Sequence, residues 1–286
     1  AMRTFQLLTA LTVSLAFTAC DIVDEPIPPG TAGVGGPDTS GTVTRRVLLE
    51  DYTGHTCNNC PGAAAVAQAL HDIYQDELIL VGVHVNNFAA PHFPPQTSYL
   101  TDFRTPAGNA YSLQFDVAFQ PAGLISRKEF GNFLLQSEGA WSSDVAEIIG
   151  EPADMDVQFA DFSFNAATNT VETTIKTIVL NPVNGDHFLT VFLTEDHVID
   201  WQTDSDVSPP DVPDYDHRHV LRDNLNGTWG EGVISGSALA GDTITRTYTY
   251  QLSSNVLEPN NCALVAFVSR TDNYEVMQVA EKKFME

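Results

Sequence analysis

The sequence predicts an α/β domain over residues 45–152 followed by an all-β antiparallel sandwich over residues 153–286. Three observations predict it. An apolar stretch, Val47-Leu-Leu-Glu-Asp-Tyr52, runs through a polar turn into Cys57-Asn-Asn-Cys60-Pro61 and an Ala-rich run to Leu70, so a cysteine pair stands where a strand gives way to a helix. A continuous apolar run from Leu78 to Val85 reads as a strand covered on both faces, as at the centre of a sheet. After Pro152 the pattern changes to alternation: Val157 and Phe159, Val171 and Ile175, Phe188 to Leu193, Thr243 to Tyr250, Leu264 to Val268, Val276 to Val279.

In chain order, residues 1–19 read as a signal peptide, with Arg3 as the positive region and Leu7 to Phe17 as an apolar core of 11 residues, too short to span a bilayer. Cys20 closes Phe17-Thr-Ala-Cys20 and matches a lipoprotein cleavage site, where the cysteine is acylated; ordinary cleavage after Ala16 is the competing reading. Residues 20–44 then form a lipidated flexible tether, with four prolines and five glycines between Asp21 and Thr44. Residues 45–54 read as the first strand. Residues 61–76 read as a helix with Val66, Ala69, Leu70 and Ile73 at helical spacing. Pro91, Pro94 and Pro95 exclude regular structure, Thr97 to Phe115 is helical in part and broken near Pro106, Gly123 to Lys128 is a strand, and Trp141 to Ile149 a closing helix. About seven short strands follow, with turns such as Asn184-Gly-Asp and Ala240-Gly-Asp.

At 286 residues the chain can bury a core in each domain without metal or many disulfides. The 37 acidic residues against 13 basic ones give a formal charge of −24, a field that repels nucleic-acid phosphates and anionic headgroups, so nucleic acid is excluded as a main partner. The four cysteines divide into Cys20 for lipid, Cys57 and Cys60 as a pair, and Cys262, which sits in a buried strand as an inert core thiol.

The pair carries the chemistry. Backbone N–H groups at a helix start lack intrahelical partners and favour a thiolate, which makes Cys57 the exposed nucleophile and Cys60 the resolving thiol, with His55 as a helper. A static disulfide stapling the loop is the other reading. A metal site is disfavoured at the pair, since no second Cys or His pair completes four ligands. This arrangement resembles the thioredoxin-like redox motif. Gln120-Pro121 stands before a strand, about sixty residues after the pair, where thioredoxins carry a cis-proline facing the disulfide. Asp51, six residues before Cys57, matches their buried proton-accepting acid, against the alternative of an exposed strand-end carboxylate. His84 and His92 are placed at the rim of the site, or are ordinary strand-end histidines. Ile199 to Asp216 holds six aspartates and three prolines, with His217 and His219 at strand spacing facing one side. A divalent-cation site and a stiff solvated excursion are the two readings there, and the sequence lacks the Gly and terminal Glu of a calcium loop. No phosphate loop, Ser/His/Asp order or cofactor motif is visible.

Leu48-Leu-Glu-Asp-Tyr-Thr-Gly54 before the Cys pair, Gln120-Pro121-Ala-Gly, His219-Val-Leu-Arg and Asn226-Gly-Thr-Trp-Gly230 together resemble the Omp28-related outer-membrane lipoprotein family. The resemblance implies a thioredoxin-like first domain, an all-β second domain, and a lipid-anchored outer-membrane address on the periplasmic or extracellular face. Two functions follow as expectations. One is thiol–disulfide exchange on envelope proteins, with Cys57 and Cys60 as the catalytic pair, Pro121 and Gln120 shaping the groove and Asp51 moving the proton. The other is a non-enzymatic surface binding or assembly module with a structural disulfide, whose partners are envelope or surface proteins.

Overall fold

The computed structural model describes residues 42–285, so the expected signal peptide, Cys20 and most of the tether lie outside the described residues. The protein is β-rich, built on several sheets. Its elements run β1 (Val47–Thr53), α1 (Cys60–Tyr74), β2 (Leu78–His84), α2 (Pro106–Gln114), β3 (Ala122–Ile125), α3 (Glu138–Ile148), β4 (Met155–Asn165) and β5 (Thr170–Val179). They continue through β6 (Val183–Asn184), β7 (His187–Glu195), β8 (Val198–Thr203), β9 (Asp211–His217), β10 (Val220–Asn224), β11 (Glu231–Ile234), β12 (Ser237–Ala238), β13 (Thr243–Gln251), β14 (Cys262–Arg270) and β15 (Val276–Lys283). The alternating half therefore holds twelve strands, where seven or so were expected.

The two halves share one sheet. Its order is β15-β14-β7-β10-β2-β1-β3, with β11 also on β7. β1 and β2 are parallel, as their connection through α1 requires, and β3 returns antiparallel to β1. The junction is β10, which lies parallel to β2 at Val220 and Gly82 and antiparallel to β7. An uncapped β2 would leave a row of unpaired backbone groups, and β10 covers that edge. Gly82 lets β10 approach closely: a Cβ would come 3.3 Å from the Arg218 carbonyl oxygen, a tight contact, while its own N–H donates to the His219 carbonyl at 2.7 Å. The boundary expected at residue 152 thus separates two sequence patterns, but one sheet and one core draw on both sides of it.

Three packed layers explain the patterns. One core lies between α1, α3 and one face of β1, β2 and β3, with Val47, Leu49, Leu78 and Trp141. A second, on the opposite face, combines Leu48, Tyr52 and Tyr111 with Phe192, Val265 and Phe267 from the later strands. The third lies between the shared sheet and the sheet β13-β5-β4, where Leu189, Val191, Leu264 and Ala266 meet Val157, Val171 and Ile175. Alternate residues of β7 and β14 feed different cores, which is why both strands carry apolar residues on both faces. The sheet β13-β5-β4 has one wet face and alternates cleanly.

Helix α1 buries a different stripe from the one expected. Ala63, Ala67 and Leu70 face the sheet, whereas Ile73 is 70% exposed. The small alanines let the helix lie close to β1 and β2, and a hydrophobicity count passes over them. Within the second core, Arg127 and Glu50 form a buried bidentate pair at 2.7 and 2.7 Å, the guanidinium lying 4.9 Å from the Tyr111 ring centroid.

Candidate functional site

Strand β1 delivers the chain to Gly54, where a Cβ would lie 2.5 Å from the backbone of Phe88, so only glycine admits the close crossing of the following loop. The turn closes with the Cys57 N–H donating to the Gly54 carbonyl at 3.0 Å. Asn59 stands at the N-cap position of α1 without a side-chain capping bond, and Pro61 occupies the first turn, where a missing N–H loses no bond. Cys57 and Cys60 are joined by a disulfide with their Cα atoms 5.5 Å apart. The Gln120-Pro121 peptide is cis, as expected, and Gln120 donates from Nε2 to the Thr53 carbonyl at 2.6 Å, fixing the end of β1 beside the turn.

The expectation that Cys57 is exposed is overturned: both cysteines are 2% exposed. The cover is the hairpin β8–β9, the Asp-rich segment read as a solvated excursion. Gln202 Nε2 donates to the Cys57 carbonyl at 2.9 Å, the Thr203 N–H to the His55 carbonyl at 2.8 Å, and the Ser205 N–H to the Asn58 carbonyl at 3.0 Å. Backbone bonds of this kind seat one segment on another as a strand ladder does. Tyr99 locks the cover in place, donating to Asp211 at 2.6 Å from a hydroxyl that also lies 2.9 Å from that of Thr203.

Behind the disulfide lies a cluster of imidazoles and rings. His84 stacks on Phe103 at 4.7 Å and stands 5.6 Å from His217, while His55 meets Tyr99 and Phe103 edge-on at 5.4 Å each. Burial lowers the pKa of all three, that of His84 well below the ordinary histidine value and that of His217 to about 4, so they are neutral at pH 7. His217 and His219 find different partners. His217 enters this cluster, whereas His219 adopts a left-handed backbone (φ 53°) and turns to Asp196, 3.4 Å away. Among the described residues no group of three or more His, Cys, Asp or Glu side chains could hold a metal ion. His92 stays exposed on the outer loop.

Asp51 is buried, which decides between its two readings. Only 7% of it is exposed, and its Oδ1 has no hydrogen-bond partner. Burial, with a smaller push from Glu138, raises its pKa to about 7. Asp51, Cys60 and His84 line one cavity of about 500 Å³ between α1, the ends of β1 and β2, and the β8–β9 hairpin. Sequence reasoning found the cysteines, Asp51 and Gln120-Pro121, but missed Gln202, Tyr215 and the His84–His217 pairing, which contacts distant in sequence create. Cys262 is buried beside Glu195, and burial raises its thiol pKa to about 12, in keeping with an inert core thiol.

Residues 108–286 match the family described as outer membrane protein Omp28. The matched span begins after the cysteine pair and includes the hairpin that covers it. Among solved structures, HBP35 of Porphyromonas gingivalis is similar with a TM-score of 0.65 and 18% identity, over 85% of this chain and 76% of that one. Protein AGR_C_4864 from Agrobacterium tumefaciens has a TM-score of 0.51 and 12% identity, over 86% of this chain and 97% of its own. At these identities the likeness concerns the fold alone. The transducer protein BasT of Halobacterium salinarum is 33% identical over 107 residues, which are 36% of this chain and 13% of BasT.

Proposed function

The chain belongs to the Omp28 family of outer membrane proteins, and from that premise we propose that it is a lipid-anchored, non-enzymatic binding module of the envelope in which Cys57–Cys60 is a structural bond. The observation that carries this reading is the seating of β8–β9 over the turn, which leaves both cysteines 2% exposed. Disulfide exchange needs in-line approach of an attacking sulfur, and here the carbonyls of His55, Cys57 and Asn58 are already bonded to the hairpin. The order β1-α1-β2 with antiparallel β3 fits a thioredoxin-like half-fold, and the packing of β4, β5 and β13 on β7 and β14 fits a sandwich. The β-rich body supplies surface for envelope or surface proteins as partners. Measured against glutathione buffers, the Cys57–Cys60 couple is expected to have a potential below about −300 mV. A value between about −270 and −120 mV would overturn the structural assignment.

Asp51 favours a second reading, in which the pair oxidises a substrate dithiol. A substrate thiolate attacks the Cys57 sulfur, Cys60 leaves as a thiolate, and a protonated Asp51 in the same cavity returns the proton. A second substrate thiolate then displaces Cys57, leaving the substrate oxidised and the pair reduced. The higher potential range is what this reading requires.

The anchor is proposed at Cys20. Cys20→Ala is expected to abolish incorporation of labelled palmitate and move the protein from the membrane to the soluble fraction; unchanged membrane partitioning would remove the lipid from the account.

A further inference from the structure

We propose that the cavity beneath the β8–β9 hairpin is a binding site for a small organic ammonium ion with an apolar body, its cationic head on Asp51 and its body against the inner face of α1. The site is built from both ends. Its walls are Leu49, Leu80, Ala64 and Ala67, which offer apolar surface and no hydrogen bonds. Two of its polar side chains carry a buried atom with no hydrogen-bond partner: Asp51 Oδ1 and His84 Nδ1, on residues that are 7% and 5% exposed. Buried polar atoms left unpaired cost free energy, and a bound ligand is one way in which they are completed. About 500 Å³ is room for a molecule the size of a substituted alkyl- or arylamine.

Charge selects the sign of the guest. Asp204 and Asp206 also line the cavity, and Arg218 is the one guanidinium or ammonium among its described lining residues. That guanidinium is committed, its Nε lying 3.1 Å from Asp216 Oδ2. An anion would meet Asp51 and these carboxylates with no free cation, whereas an ammonium satisfies Asp51 through charge-assisted hydrogen bonds. The neutral imidazole of His84 adds a hydrogen-bonding group without opposing charge. The proposal goes beyond the reading of the disulfide and rests on it in one respect: a lasting bond holds the start of α1, and so one wall of the cavity, against the hairpin.

The test uses the full-length protein with the disulfide intact, and three phenyl probes of similar size: benzylammonium, benzyl alcohol and benzoate. Calorimetric titration at pH 8 is expected to show benzylammonium binding at least tenfold more tightly than either of the others. Asp51→Asn is expected to weaken benzylammonium at least tenfold while leaving benzyl alcohol within threefold. Ala64→Phe, which plugs the half-buried wall without altering charge, is expected to weaken both, and its unfolding midpoint reports that it remains folded. Equal binding of benzoate, or benzylammonium binding unchanged in Asp51→Asn, overturns the proposal, as does the absence of benzylammonium binding up to 10 mM (about −2.7 kcal/mol). A high disulfide potential combined with amine binding would sink the structural-bond reading and leave this site standing.

Discussion

Arg127→Met is expected to destabilise the protein by about 3–5 kcal/mol, read as a lowered urea midpoint with an unchanged slope. The reason is what it leaves behind. Glu50 and Arg127 are 0% and 2% exposed, bonded to each other through two guanidinium nitrogens, Nε and Nη2. The arginine is also enclosed by Tyr111, Phe115 and Phe267 at about 5 Å from each ring centroid. Methionine preserves much of the volume but strands the carboxylate of Glu50 in a core with no other cation bonded to it. The double variant Glu50→Leu, Arg127→Met removes both charges and is expected to recover most of the loss, because a buried pair replaced by apolar groups of similar volume is often close to neutral. A single-variant loss below about 1 kcal/mol would mean the pair is solvated and the core assignment wrong.

Asp51→Asn is expected to change how stability depends on pH, with an effect of up to about 4 kcal/mol. In the folded protein Asp51 holds its proton to about pH 7, chiefly because it is buried. In the unfolded chain it releases that proton near its ordinary value of 3.8. Its contribution to stability is therefore fully present below about pH 4 and is lost as pH rises through 7. The variant has no such limb, so its advantage over the parent should grow from about pH 4 to 7 and level off above that. Three neighbours act in the opposite sense: His55, His84 and His217, all with lowered pKa, withdraw stability as pH falls from about 6.5 toward 4. They are common to both proteins and cancel in the difference curve. Glu138 and Tyr215, the other titratable groups felt by Asp51, remain in place as well. A difference curve that is flat between pH 4 and 8 would show that Asp51 is ionised in the fold.

Much of the site is written locally. Cys57-x-x-Cys60-Pro61 predicts a helix start because the pair and the proline are contiguous, and the disulfide forms there. Asp51 and Gln120-Pro121 were legible for a similar reason, as fixed offsets from that motif. The exposed Cys57 was a misreading because its accessibility is set by Gln202, Thr203 and Ser205, nearly 150 positions later, whose polar sequence carries no mark of what it covers. The stripe on α1 was misplaced because alanines that permit close packing are silent in a hydrophobicity pattern.

By itself the sequence determined the strand–turn–helix with its cysteine pair, the change to alternating strands after Pro152, and the acidic charge that excludes nucleic acid as a main partner, since each depends on neighbours in the chain or on a simple sum. Only the tertiary structure decided that β10 joins β2, that one sheet serves both halves, and that a hairpin closes over the sulfurs and roofs a cavity above Asp51. Those outcomes depend on hydrogen bonds and burial between segments more than a hundred residues apart. Backbone groups pair by geometry regardless of side-chain identity, so such pairings leave little trace in the order of residues.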